Sequence, residues 1–174
     1  MKTLAETKAI NKLKSLKADY KKLISDNYET RAKNCLTCET KGACCQDEHF
    51  VNVHITKLEA VLIAETLQKL PIEKQNEIYN RVENTIEKYN LNSENDSFEK
   101  TFACPLFEKE IGCLIHEIKP LPCIQHACYE RREDLPPDEL QIEMEEKVER
   151  LNEQTYKSFT NWLPLPVWVS KLKS

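Results

Sequence analysis

Apolar positions recur at three- and four-residue steps through much of the chain, so the pattern predicts helices more than strands. The first stretch, residues 3 to about 32, places Leu13, Leu16, Tyr20, Leu23 and Ile24 on one face. Val51-Asn52-Val53-His54-Ile55 alternates instead, as a short extended segment does, and Thr56-Lys57-Leu58-Glu59 then reads as a capping box. The helix it opens carries Leu58, Val61, Leu62, Ala64 and Leu67 on a core-facing side. Pro71 is placed to begin another helix in the tolerated first turn, running to about Tyr89 with Ile72, Ile78, Val82 and Ile86 along one side. Asn90 to Ser97 is polar and reads as a loop.

Prolines at 105, 120 and 122 predict irregular chain rather than helix over residues 104–128. Pro136-Pro137-Asp138 ends that segment and starts a long helix to about Phe159. The last stretch, Trp162 to Val169, is apolar and broken by Pro164 and Pro166. It is expected to fold back over the helices as part of the core, the alternative being an exposed docking surface. The expected fold class is therefore mainly α, with helices surrounding irregular cysteine-rich metal-binding loops. Three parts are expected: an amphipathic helix packing on the core (1–33), a cysteine-cluster metal-binding domain (34–130), and a helix with an apolar tail belonging to the same domain (131–174).

Charge refines the packing. Residues 1–33 hold nine Lys/Arg against four Asp/Glu, whereas residues 130–154 hold ten acidic residues against four basic ones. A basic helix can serve a membrane surface or a nucleic acid, but a solvated face packed on an acidic partner is the simpler expectation. The net charge of −4 over 174 residues disfavours a general nucleic-acid binder, which needs a concentrated basic face. No apolar run approaches the length of a membrane span. The first eight residues carry charge where a secretion signal needs an apolar stretch, so a cytoplasmic protein is expected.

All eight cysteines and both glycines fall into two short clusters: Cys35-x2-Cys38 with Gly42-Ala43-Cys44-Cys45, and Cys104, Gly112-Cys113, Cys123 and Cys128. Clustered thiolates beside a turn-making glycine suit a soft metal ion. Disulfides fit a reducing cytoplasm poorly, and inert buried thiols explain scattered cysteines better than grouped ones. The expected ligands are Cys35, Cys38, Cys44, Cys45, Cys104, Cys113, Cys123 and Cys128. The pairing stays open: two four-sulfur sites, one site with spare thiols, or a cluster sharing ligands. Cys44 and Cys45 are adjacent, so their side chains are expected to diverge. A site shared by both clusters would staple the helices of residues 56–89 between them.

Thiolates suit zinc and iron–sulfur clusters alike, so the cofactor expected is zinc or iron, an iron–sulfur cluster included. His116 and His126 lie near cysteines and are candidate further ligands, with His49 and His54 more remote ones. A cysteine nucleophile at Cys123 with His126 as base is the catalytic alternative. Two glycines exclude a dinucleotide fingerprint or a phosphate loop, and no Gly-x-Ser-x-Gly elbow is present.

Cys35-x2-Cys38, Gly42-x-Cys44-Cys45, Cys104-Pro105-Leu106-Phe107, Gly112-Cys113-x-Ile115 and Lys119-Pro120-x2-Cys123, in that order, resemble the CxxCxxCC family. Its members are described as zinc- or iron-chelating cysteine-cluster domains. The resemblance spans residues 35–128 and implies that Cys35, Cys38, Cys44, Cys45, Cys104, Cys113 and Cys123 face the metal. Five residues, rather than two, separate Cys38 from Cys44; His116 stands where members often carry tyrosine, and Lys119 where arginine is common. Some relatives are described as flagellin lysine methylases, which makes a protein-lysine methylase or an iron–sulfur redox enzyme the second functional expectation. A metal-stapled protein-interaction module is the third.

Overall fold

The computed structural model describes residues 4–32, 42–46, 52–92, 99–157 and 162–173. Among them are six α-helices: α1 (Glu6–Asn27), α2 (Lys57–Leu67), α3 (Ile72–Lys88), α4 (Leu121–Gln125), α5 (Asp138–Tyr156) and α6 (Leu165–Lys171). Four two-residue strands form two antiparallel pairs, β1 (His54–Ile55) with β4 (Leu163–Pro164) and β2 (Phe107–Glu108) with β3 (Gly112–Cys113). The protein is mainly α.

α2 is the centre of the molecule. Its Leu58 and Leu62 belong to a core with Ala9, Ile10, Leu13, Tyr20 and Ile24 of α1, Leu121 of α4 and Val148 of α5. Its Ala60, Ile63 and Leu67 belong to a second core with Ile78, Val82 and Ile86 of α3, Phe102, Leu106, Ile115, and Leu165, Val167 and Val169 of α6. The expected one-sided face is therefore incomplete, because Ala60 and Ile63 bury the opposite side of the same helix. Each fully buried Leu or Ile contributes roughly 1.5–3 kcal/mol, so a helix buried on both sides is a major source of stability.

The start of α2 is tied from three directions. Thr56 and Glu59 form the expected capping box, the Glu59 amide donating to Thr56 Oγ1 and the Thr56 amide to Glu59 Oε2, both at 3.3 Å. The Leu58 amide donates to Oδ1 of Asn152 on α5 at 3.0 Å. Glu59 also pairs with Lys17 of α1 at 2.9 Å, with both side chains almost wholly buried at 3% and 1% exposure.

Several expectations need correction. The buried stripe of α1 runs Ala9, Ile10, Leu13, Lys17, Tyr20 and Ile24, which leaves Leu16 and Leu23 half-buried and brings a lysine into the core. α1 does pack on α5, and among the described residues opposite charge joins the two stretches in the Arg31–Asp134 pair. Its cations pair with Glu65 and Glu59 of α2, with Glu117, with Asp26 of its own helix and, from Arg31 just beyond it, with Asp134. On α5 the pairs Glu143–Lys147 and Glu146–Arg150 are internal, at the four-residue spacing that helices favour. Pro71 caps α3 rather than opening it, and Ile72 is 61% exposed because it precedes the turn that meets the core.

The prolines of residues 104–128 do not prevent a helix. Pro122 sits in the first turn of α4, where its missing N–H has no helical partner to lose. Pro166 does the same in α6, so the tail is a short helix with Leu165, Pro166, Val167 and Val169 buried. The tail is thus core, which removes it as an exposed docking surface. Among the described residues no helix is long and apolar enough to cross a membrane.

Candidate functional site

The two cysteine clusters meet through main chain before side chains are considered. Gly42, in the left-handed region at φ +74°, starts a tight turn over Ala43–Cys45, closed by the Cys45 amide donating to the Gly42 carbonyl at 2.8 Å. The Cys45 carbonyl then accepts from the Cys104 amide at 2.8 Å, which joins positions almost sixty residues apart. From Cys104 the chain turns into the β2–β3 hairpin, where Cys113 lies opposite Phe107. The Phe107 ring packs so closely on Gly42 that a Cβ there would overlap it. Beyond the hairpin a single turn at His116–Ile118 leads to α4, which carries Cys123, and Cys128 follows just before Tyr129 bridges to Ala32.

This path brings five thiols within reach of one another's charge. Cys45 shares a thiol hydrogen bond with Cys44, which with burial and the charges of Cys44, Cys104 and Cys123 holds its pKa far above the ordinary range. Burial first, then Cys113 and Cys44, push Cys104 up to about 12, against the Leu106 amide and Arg81, which pull it down. Burial also raises Cys113 and Cys123; Cys44 adds to the shift at Cys113, and Cys104 and Cys113 add to it at Cys123. Lys119 opposes both shifts, and Lys17 opposes the second. The contact between Cys44 and Cys45 corrects the expectation that neighbouring side chains diverge. In a tight turn of about three residues, successive side chains stand roughly 120° apart rather than on opposite faces.

Cys45, Cys104, Cys113 and Cys123 are free, half-buried thiols. In chemical type this donor set fits a soft metal, since an ion that takes the place of the thiol protons relieves the cost of charging sulfur inside the protein. Geometry is less complete: among the described residues no group of three or more His, Cys, Asp or Glu side chains is arranged to hold one ion. Cys35, Cys38 and His49 lie outside the described residues. His54 is buried in β1 opposite Pro164, and burial lowers its pKa. His116 and His126 are exposed, and His126 caps the end of α4.

The alternative of a Cys123 nucleophile with His126 as base finds the wrong electrostatics. A reactive thiol needs a depressed pKa, and Cys123 is shifted the other way by burial and neighbouring sulfurs.

Sequence reasoning missed the charged residues around the thiols. Lys17 donates to the Ile118 carbonyl at 3.2 Å and so links α1 to the segment between Cys113 and Cys123. Its spacing from Leu13, Tyr20 and Ile24 put it on the apolar stripe, which was the signal available. Glu108 of β2 accepts from Lys74 and Arg81 of α3, each at 2.7 Å, and fastens the hairpin to that helix. Nothing local in the sequence marks Glu108.

These features define a class: a mainly α protein in which two cysteine-bearing segments are joined main chain to main chain at Cys45 and Cys104. The chain matches no family model, no curated protein and no solved structure.

Proposed function

We propose that this chain is a cytoplasmic metal-binding protein that chelates zinc or iron through its clustered cysteine thiolates. The observation that carries the reading is the mutual proximity of Cys44, Cys45, Cys104, Cys113 and Cys123, contributed by three separate segments. Cys35, Cys38 and Cys128 complete the ligand candidates from the sequence. Burial supports the reading further. A half-buried group of thiols is costly to ionise one at a time, and a bound cation compensates that cost collectively. A bound ion would add a cross-link between segments that, among the described residues, are joined by the Cys104–Cys45 backbone hydrogen bond and the Phe107–Gly42 contact.

Protein purified without oxygen is expected to carry at least one zinc or iron per chain by elemental analysis. Inorganic sulfide measured alongside separates a simple thiolate site from an iron–sulfur cluster, and the latter would bring the redox or methylase reading forward. Cys38→Ser and Cys113→Ser are each expected to lower the metal content and the melting temperature. A wild-type protein with only traces of both metals, and variants that melt as it does, would remove the metal reading altogether.

A further inference from the structure

The β2–β3 hairpin is attached to α3 by a three-residue ionic cluster. Lys74 and Arg81 lie seven residues apart on α3 and so share a face of that helix. Both reach the same oxygen of Glu108, at 2.7 Å each, and Glu108 is only 12% exposed. Lys74 also pairs with Glu77 at 3.1 Å. An exposed pair of this kind is worth little, but a nearly buried carboxylate holding two cations fixes geometry. What it fixes is the hairpin whose first strand carries Phe107, the ring seated on Gly42, and whose second strand carries Cys113. Arg81 has a further property: its Nε is buried with no hydrogen-bond partner among the described residues. A guanidinium held by one edge, with an unfilled donor, is suited to face developing negative charge.

We propose that Glu108 and Arg81 are positioning residues of the thiolate centre, Glu108 clamping the Cys113 hairpin to α3 and Arg81, with Lys74, holding that carboxylate from the helix. This rests on the metal-binding reading. The cluster also explains why a carboxylate sits at a near-buried hairpin position, where an apolar residue would serve the core alone.

The test is cobalt and zinc binding, by competition with a chelator, to wild type, Glu108→Gln, Arg81→Met and Arg81→Lys, with the melting temperature of each metal-stripped protein measured in parallel. Partners that orient metal ligands typically govern affinity by about 10- to 100-fold. Glu108→Gln and Arg81→Met are expected to weaken binding by that order and to shift the sulfur-to-cobalt charge-transfer band. Arg81→Lys, which keeps the charge, is expected to recover part of the loss. Metal-stripped Arg81→Met is expected to melt close to wild type, which separates positioning from folding. Wild-type affinity and an unmoved band in Arg81→Met and Glu108→Gln would overturn the inference while leaving the metal reading intact. So would a loss in Arg81→Met that merely tracks a lower melting temperature. A wild-type protein that binds neither metal would overturn both.

Discussion

Gly42 is a position where the side chain itself is the obstacle. Its φ of +74° disfavours any L residue, and the space a Cβ needs is already filled by the Phe107 ring. Gly42→Ala is expected to cost more than about 1 kcal/mol and to loosen the first cysteine loop from the hairpin. Denaturant unfolding measures the first effect, and faster alkylation of Cys45 the second. Gly112, at φ +97°, has open space around it, so there only the backbone conformation opposes substitution. The sequence showed both glycines beside cysteines and suggested turns at each. It held no sign that one turn is pressed against an aromatic ring from sixty-five residues away, because that pairing exists only in the tertiary fold.

At the scale of elements, α2 is secured by polar groups inside apolar surroundings. Lys17→Met leaves Glu59 charged and nearly buried without its partner, a change that typically costs about 3–5 kcal/mol. The double variant Lys17→Met with Glu59→Leu removes both charges and is expected to recover much of that loss. The residual deficit, about 1 kcal/mol, is the capping box it sacrifices. A double variant as unstable as Lys17→Met alone, in thermal unfolding, would contradict this account. Periodicity made the helices of residues 3–32, 56–67 and 71–89 legible, and the Thr56–Glu59 signature located one start to the residue. It failed where proline was taken as a bar to helix: Pro122 and Pro166 both occupy first turns, the one place a helix accepts them. Opposite charge was a minor guide to how α1 meets α5. Those helices meet through Leu13, Tyr20 and Val148, with Glu6 accepting from the Tyr156 hydroxyl and Arg31 pairing with Asp134 at the margins.

For the whole molecule, burial has set many titrating groups against ionisation. His54 is held below its ordinary pKa by burial; partial desolvation lowers His116 and His126 too, although both keep contact with solvent, and Lys119 and Lys21 add to the shift at His116. The unfolded chain therefore takes up protons first as pH falls through about 6.5, and stability decreases below that point. Cys45, Cys104, Cys113 and Cys123, with Tyr20 and Tyr156, are raised. Here the unfolded chain loses protons first, so the metal-free protein is expected to lose stability as pH rises above about 8.5. Urea titrations of metal-stripped protein from pH 5 to pH 11 should trace a plateau between two declines. A curve flat across that whole range would refute the burial argument. The fold class was readable from periodicity. The roles of Lys17, Lys74 and Arg81 were not, since each comes from a helix distant in sequence from the second cysteine segment.

The hydrogen bond from the Cys104 amide to the Cys45 carbonyl also sets an order of events in synthesis. The first cysteine loop leaves the ribosome well before its counterpart, and only local helices, α2 and α3, can form in the interval. Until residues 104–128 have been made, Cys44 and Cys45 have no sulfurs of the second cysteine cluster beside them. On the metal-binding reading proposed above, loading waits for a nearly finished chain, so that the nascent polypeptide does not capture an ion in a half-built site.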